Sequence, residues 1–183
     1  MISDSVILGA KVISVAVPDA DQMRDALRRL PTGVVVVTTR VDGIDYAMTA
    51  NSFTSVCLDP PLVLVCVQRD TQFHEAVNRS DTWAVSILAR HHEPLARQLA
   101  HRGRPPEKQI EGVDVVRSES GLAVVADCEA SLECRTEQCW VAGDHDIVLG
   151  AVIGHTIANH SAGPLVYWGR SFHPLASEGD APR

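Results

Sequence analysis

The chain has 183 residues, of which 45% are hydrophobic, and a formal net charge of −7. This length favours one domain with a single sizeable core, and the acidic balance argues against nucleic-acid binding, which depends on a basic patch. No apolar run in the sequence reaches the ~18 residues that a membrane-spanning helix needs. From the charge we expect no nucleic acid among the partners, and from the lack of such a run we expect no membrane.

The five cysteines are odd in number and form no C-x-x-C pair. They are Cys57, Cys66, Cys128, Cys134 and Cys139. Most of them stand within apolar, strand-like sequence, as buried free thiols do. We therefore expect reduced thiols and a cytoplasmic location.

Three segments are expected along the chain. Residues 1–18 carry Asp4 and Lys11 and no basic leader, which predicts a short appended arm and no secretory signal. Residues 19–175 form the predicted globular domain, and residues 176–183 a short tail.

The globular part opens with a predicted helix and a hairpin. Asp19 and Gln22 have the spacing of a capping box, and apolar residues follow at helical spacing as far as Leu30. The valine-rich residues 33–40 predict a strand, and an Asp-Gly turn leads into a second strand at residues 44–50.

The middle of the chain predicts alternating strands and short helices. Residues 62–68 are apolar throughout, which predicts a central strand buried on both faces. Asp70 or Thr71 is expected to cap a second helix, a strand follows at residues 83–88, and Pro94 opens a third helix.

The last third predicts a loop and further strands. Residues 101–111 are charged and contain two consecutive prolines, which predicts an exposed, mobile loop without helix in its middle. Residues 128–135 alternate apolar and polar, which predicts a strand on an outer wall, and strands follow at residues 147–158 and 164–168. About six strands with flanking helices predict a mainly β protein built as a closed or nearly closed barrel.

Small polar residues precede the apolar strand at residues 62–68. They are Thr49, Asn51, Ser52, Thr54 and Ser55. Burying them is costly unless a partner bonds to them, and a heteroaromatic ring with carbonyls and ring nitrogens is such a partner. An ordinary polar turn accounts for the same residues equally well.

Several segments, in this order, resemble the flavin reductase family, the small NAD(P)H-dependent partners of two-component flavin monooxygenases. They read PTGV at residues 31–34, AMTANSF at 47–53, SVCLDPP at 55–61 and GDH at 143–145. The resemblance implies an FMN-binding split β-barrel that forms a homodimer, with the cofactor near the subunit interface. It also implies hydride transfer from NADH or NADPH to FMN or FAD, and supply of the reduced flavin by diffusion to a separate monooxygenase.

The resemblance further implies a set of site residues. His145 would face the flavin and the nicotinamide as the catalytic histidine, although a turn histidine capped by Asp144 is the plainer interpretation. Arg69 would anchor the phosphate, and Lys108 would reach it from a loop that lacks the family's usual aromatic residue. The other implied cofactor-binding residues are Thr49, Ala50, Asn51, Ser52, Ser55, Cys66, Val67, Gln68, Thr71, Gly143, Asp144 and Arg170.

Other functions remain open at this point. A non-catalytic split barrel that binds flavin or haem would share the fold, whereas an oxidase of a phosphorylated pyridine would need more basic residues for a second phosphate site. The histidine clusters lack the spacing of a metal site, so no metal is predicted. Because the sequence has no G-x-G-x-x-G fingerprint, NADH and NADPH stay equal candidates, as do FMN and FAD.

Overall fold

The structure, a computed structural model, describes residues 7–8, 11–12, 16–159 and 162–175. Within these ranges the chain forms three α-helices, two short 3-10 helices and fourteen strands. The α-helices are α1 Ala20–Leu27, α2 Gln72–Val77 and α3 Glu93–Ala100, and the 3-10 helices are Arg90–His92 and Pro106–Lys108. The strands are β1 Ile7–Leu8, β2 Lys11–Val12, β3 Thr32–Gly33, β4 Val35–Val41, β5 Ile44–Ala50, β6 Thr54–Leu58, β7 Pro61–Gln68, β8 Thr82–Ile87, β9 Val115–Arg117, β10 Ala123–Val125, β11 Ala130–Ala142, β12 His145–Ile157, β13 Leu165–Trp168 and β14 Ser171–Pro174. The predicted tail at residues 176–183 and most of the predicted arm lie outside the described residues.

One antiparallel sheet of seven strands forms the body, in the order β5-β4-β8-β11-β12-β7-β6. Its inward side chains share a single core, to which every strand except β6 contributes, so the sheet curves around them. The two edge strands, β5 and β6, are consecutive in the chain, and the barrel is split between them. Ser52 lies in this gap, and its hydroxyl donates to the Cys66 carbonyl at 2.9 Å and accepts from the Cys66 N–H at 3.2 Å. The predicted mainly β barrel is confirmed, with seven strands in place of about six.

The β4–β5 hairpin is confirmed. Asp42 and Gly43 have φ angles of 52° and 80°, as a two-residue type I′ turn requires. The four valines at residues 34–37 contribute to two separate hydrophobic cores, because successive side chains of a strand point to opposite faces of the sheet. Val35 and Val37 pack inside the barrel, whereas Val34 and Val36 pack against α3 on the other face.

The interpretation of β7 as a strand buried on both faces is wrong. Val63, Val65 and Val67 are buried, but Leu64 and Cys66 between them are only half-buried. β7 lies one strand from the sheet edge, between β12 and β6. Nothing within the described ranges fully covers its outer face, so an apolar run here does not mean double burial.

The placement of β11 on an outer wall is also wrong. It is the central strand of the seven, paired with both β8 and β12. A register shift between Glu133 and Cys134 interrupts the alternation, and Ser131 is buried where the pattern predicts exposure. Burial raises the pKa of the Cys134 thiol to about 12, so this thiol stays protonated and unreactive. All five cysteines are free, as predicted.

The helix caps follow the sequence. Asp19 accepts from the Gln22 N–H at 2.8 Å and its own N–H donates to Gln22 Oε1 at 3.1 Å, which completes the capping box of α1. Thr71, and not Asp70, caps α2. The apolar residues of α1 are exposed, however, since Leu27 keeps 53% of its surface. No helix in the described part of the chain is long and apolar enough to cross a bilayer.

Gly150 of β12 lies against the buried ring of Trp83. A Cβ at this position would be 2.6 Å from Trp83 Cζ2 and 3.0 Å from Cys134 Cβ. We expect Gly150→Ala to lower the free energy of unfolding by about 1–3 kcal/mol, the usual cost of overpacking a core. Urea unfolding of the variant measures this loss.

Gly154→Ala on the same strand is the matched control. Its Cβ would meet Glu133 Cβ at 3.6 Å, an ordinary contact, so its stability should stay within about 0.5 kcal/mol of wild type. Equal stabilities of the two variants would show that the Trp83 ring moves aside.

Candidate functional site

A cleft of about 500 Å³ lies beside β5, bounded by β7, α2, the end of α3 and the loop at residues 101–109. We call it the β5 cleft. It brings together about half of the site residues predicted from sequence. These are Thr49, Ala50, Asn51, Ser52, Cys66, Gln68, Thr71 and His145.

The other predicted residues do not line this cleft. Val67 is fully buried in the barrel core, Ser55 is exposed on β6, and Lys108 pairs with Glu111 at 3.7 Å. Gly143 and Asp144 lie in the exposed turn before β12 and are not among the lining residues. Arg170 lines a second, adjoining cleft.

Arg69 lies outside the lining as well. Its Nε is 3.4 Å from Oδ1 of Asp146, a carboxylate that is only 7% exposed. His74 Nε2 lies 2.7 Å from the other Asp146 oxygen. The cation predicted as the phosphate anchor is therefore turned towards a buried carboxylate.

The hydroxyl groups predicted to face a ligand hold the framework together. Thr49 donates to the Ala96 carbonyl at 2.7 Å, which joins β5 to α3. Ser52 bonds to Cys66 across the gap in the barrel. Thr71 donates to the Gln68 carbonyl at 2.8 Å and accepts from the His74 N–H, which caps α2. These hydroxyls position the walls of the β5 cleft.

The backbone of β5 supplies the ligand-facing groups instead. Among the described strands, β5 pairs only with β4. The Ala47 carbonyl accepts from Arg104 at 2.6 Å, so it points away from β4. Since the N–H and C=O of one residue share a direction and residues two apart repeat it, the backbone groups of Thr49 point away from β4 as well. An edge strand thus offers its donors and acceptors to the cleft.

Arg104 fastens the loop after α3 to β5. It donates to the carbonyls of Gln98 at 2.9 Å, His101 at 2.8 Å and Ala47 at 2.6 Å. Burial lowers the pKa of Arg104 from its ordinary value, yet arginine stays charged at neutral pH. No carboxylate within the described ranges bonds to it, so its positive charge is not neutralised by a contact.

Gln109 joins the same loop to α2. It is 5% exposed, and its Nε2 donates to Gln72 Oε1 and to the Arg104 carbonyl, both at 2.7 Å. The exposure predicted for this loop is therefore wrong at Gln109 and Arg104. The prediction of no helix in its middle is wrong as well, because Pro106–Lys108 form a 3-10 helix, whose first turn tolerates proline. Gln109 belongs to the segment in which the sequence analysis noted the lack of an aromatic residue. In this chain, hydrogen bonds of Gln109 to Gln72 and to the Arg104 carbonyl hold that segment.

The β5 cleft has a positive lining. Arg102 reaches from the loop across the cleft and bonds to Gln68 Oε1. Arg102 and Arg104 line the cleft together with one carboxylate, Asp70, and two histidines, His101 and His145. Sequence reasoning missed both arginines, because only the fold of the loop brings them to β5. The lining favours an anionic ligand.

His145 is the first residue of β12 and pairs with Gln68 of β7. Its Nδ1 lies 2.8 Å from Asp144 Oδ1, and this hydrogen bond lowers the pKa of Asp144. Since Asp144 occupies Nδ1, Nε2 is the ring nitrogen left for a ligand. His145 is thus both a turn histidine held by Asp144 and a lining residue of the β5 cleft.

The described residues contain no group of three or more His, Cys, Asp and Glu side chains arranged to hold a metal ion.

Comparisons with known proteins identify the family. A family model for a flavin reductase like domain matches residues 27–176. The NADH-dependent FAD reductase of Streptomyces globisporus is 44% identical over 168 residues, which cover 89% of this chain and 91% of that protein.

Solved structures agree. The S. globisporus C-1027 NADH:FAD oxidoreductase SgcE6, in complex with NAD and FAD fragments, matches with a TM-score of 0.81 and 38% identity over 88% of this chain and 96% of its own. BorF, the flavin reductase component of a bacterial two-component tryptophan halogenase, matches with a TM-score of 0.81 and 34% identity over 87% of this chain and 100% of its own. A family match over most of the length, joined to these similarities in sequence and fold, means that this chain belongs to the flavin reductase family.

Proposed function

We propose that the protein is an NADH-dependent flavin reductase, which passes a hydride from the nicotinamide to FMN or FAD and releases the reduced flavin to a separate monooxygenase. The observation that carries this proposal is the β5 cleft, where an edge strand, His145 and two arginines meet in one cavity. The names of the relatives support NADH as the donor.

The residues of the β5 cleft fit a flavin. A tricyclic ring needs an apolar surface, donors and acceptors at its edge, and a cation for its phosphate. Apolar side chains supply the surface: Ala47, Met48, Ala50, Phe73 and Leu99. The backbone of β5 and the amide of Asn51 supply the donors and acceptors for the edge of the ring. Arg102 and Arg104 supply the positive charge for the phosphate. The volume of about 500 Å³ lies within the range of ~300–1,000 Å³ usual for such sites.

The protein contributes alignment and charge. When bound, the flavin accepts the hydride at N5, so no protein nucleophile is required. We assign to β5 the task of fixing the plane of the ring, and to His145 that of orienting the nicotinamide against it. Holding two reactants at a near-attack distance is a large part of what a catalyst can supply.

We propose that Arg102, and not Arg69, binds the phosphate of the flavin, since Arg102 lines the cleft and Arg69 is turned to Asp146. Arg102→Ala should raise the flavin KM by about tenfold, the loss expected for one charged hydrogen bond. Arg69→Ala should raise it less. Steady-state kinetics with varied FMN measure both effects.

Lys108→Ala is the control for this pair, because Lys108 is exposed and pairs with Glu111 outside the lining. A larger effect of Arg69→Ala than of Arg102→Ala would return the anchor role to Arg69.

The quaternary state and the compartment are also proposals. A homodimer is supported by exposed apolar side chains on the β11–β12 hairpin, where Trp140 and Val141 keep 42% and 68% of their surface. Free cysteines support a reducing compartment such as the cytoplasm. Sedimentation equilibrium measures the first of these, and a mass of one chain at micromolar concentration would contradict it.

Steady-state oxidation of NADH with and without added FMN or FAD tests the activity. Flavin-dependent turnover is the expected result, and its absence with both flavins would overturn the proposal. A protein that retains yellow flavin but is not bleached anaerobically by NADH or NADPH would be a non-catalytic flavin-binding barrel.

A further inference from the structure

Asp146 is a buried carboxylate to which the proposed reaction gives no role. It is the second residue of β12, and it is only 7% exposed. Burying a charged carboxylate is costly unless cations or donors compensate it. Its side chain points away from the β5 cleft, because side chains alternate along a strand and the preceding residue, His145, lines that cleft. Within the described ranges its ion-pair partners are His74 of α2 and Arg69.

The two carboxylate oxygens of Asp146 are held in different ways. Oδ2 lies 2.7 Å from His74 Nε2, and since an ionised carboxylate only accepts, this nitrogen donates. Oδ1 is buried and accepts no hydrogen bond from any residue that the structure describes. Its contact with Arg69 Nε at 3.4 Å is an ion pair without a hydrogen bond. The Arg69 side chain, which stays 45% exposed, is therefore held by charge and not by a directed bond.

Arg69 stands beside the place that we assign to the flavin phosphate. Its neighbours in the chain, Gln68, Asp70 and Thr71, all line the β5 cleft. Arg102, the proposed phosphate ligand, bonds to Gln68 Oε1, so the phosphate is expected at this end of the cleft. An arginine side chain has much rotamer freedom. Its guanidinium can therefore turn towards the phosphate when no carboxylate attracts it to the other face of the sheet.

We propose that Asp146 lowers the affinity of the β5 cleft for the flavin phosphate by holding Arg69 away from it. Asp146 is thus a positioning residue that acts through Arg69. This inference rests on the proposed function. Without the carboxylate charge, Arg69 joins Arg102 at the phosphate, where hydrogen bonds between charged groups are strong. Differences in affinity appear mostly in the dissociation rate, so a weaker hold on the phosphate suits a protein that releases reduced flavin.

Asp146→Asn tests this inference, because it removes the charge, keeps the size of the side chain and leaves an oxygen to accept from His74. The variant should bind FMN about tenfold more tightly than wild type, the gain of one charged hydrogen bond. Its affinity for riboflavin, which has no phosphate, should be unchanged. Quenching of flavin fluorescence measures both affinities in the absence of NADH. Since most substitutions of buried residues destabilise a protein, damage to the fold does not explain a gain that is confined to FMN.

The double variant Asp146→Asn/Arg69→Ala identifies the cation that gains access to the phosphate. Its ratio of FMN affinity to riboflavin affinity should return to that of Arg69→Ala alone, because the released guanidinium is gone. Comparison of the two single variants with the double variant isolates the coupling between the two side chains. A tenfold gain that persists without Arg69 would overturn the inference.

Asp45→Asn is the matched control. The Asp45 side chain is 9% exposed, against 10% for that of Asp146, and it pairs with Arg117 at 2.6 Å outside the lining of the β5 cleft. Both substitutions change the net charge of the protein by the same amount, so the control should leave the ratio of FMN to riboflavin affinity at the wild-type value. An equal rise in both variants would assign the effect to net charge and overturn the inference, as would no rise in either.

A second variant covers the case in which Asp146→Asn does not fold. His74→Leu/Asp146→Leu replaces both members of the buried pair by apolar side chains, a change that proteins often tolerate, and it should raise the affinity ratio in the same way. An unchanged ratio in this folded variant would overturn the inference.

Steady-state oxidation of NADH separates this inference from the activity. An active enzyme whose affinity ratio does not respond to Asp146→Asn would contradict the role of Asp146 alone. A protein whose ratio rises through Arg69 but which oxidises no NADH with either flavin would contradict the proposed function alone.

Discussion

Replacing His145 by alanine should lower kcat/KM for NADH on the order of 100-fold while flavin affinity stays near its wild-type value. The imidazole lines the β5 cleft and is held at Nδ1 by Asp144, which fixes the direction of Nε2. Without this side chain the nicotinamide loses a contact that sets its angle to the flavin ring, and small misplacements of a hydride donor are costly. Stopped-flow reduction of bound flavin by NADH measures the hydride step directly.

His155→Ala is the matched control, since His155 lies on the same strand but lines a different cavity. Asp144→Asn should have a smaller effect than His145→Ala, because it weakens only the hydrogen bond to Nδ1. Wild-type reduction rates in His145→Ala would show that the histidine only completes the turn before β12.

Replacing Arg104 by alanine should destabilise the protein by about 3 kcal/mol and lower its Tm by about 10 °C. The substitution leaves the carbonyls of Gln98, His101 and Ala47 without the donor that they share. It also releases the loop that closes one side of the β5 cleft, so the KM for flavin should rise with the loss of stability. Circular dichroism and steady-state kinetics measure the two effects.

Arg104→Lys tests the geometry of the contact. A lysine keeps the charge but does not offer the fork of donors that spans three carbonyls, so most of the stability loss should remain. Arg102→Ala is the control, because Arg102 makes one side-chain bond to Gln68 and should affect flavin binding far more than unfolding. A Tm for Arg104→Ala within 2 °C of wild type would mean that water replaces the guanidinium.

The features predicted correctly from sequence depend on neighbouring residues. The capping box at Asp19 and the turn at Asp42 are set by side chains and backbone angles within a few positions. The family resemblance could be detected from sequence for a related reason, since each of its motifs is a short segment and the motifs follow one another along the chain in the family's order. The resemblance predicted the split barrel and named residues 49–52 and His145 as site residues, and the structure places them in one cleft.

The errors concern partners that are distant in sequence. The apolar pattern of β7 does not show which strand or layer covers each face, and the alternation in β11 does not reveal the register shift at Glu133. In the same way, the composition of residues 101–111 indicates a polar loop but not that Gln109 bonds to α2. Each of these depends on contacts that form only when the sheet has closed.

By itself the sequence determined the family, the order of the three α-helices and of most strands of the seven-stranded sheet, and the position of the polar segment beside the cleft. Tertiary structure alone decided that the hydroxyls of Thr49 and Ser52 donate to the carbonyls of Ala96 and Cys66. It also decided that Arg102 and Arg104 line the cleft, whereas Arg69 is turned to Asp146. The physical reason is that a hydrogen-bonding group has a fixed number of partners. Which partner it takes depends on what the fold places within about 3 Å, and spacing along the chain does not contain that information.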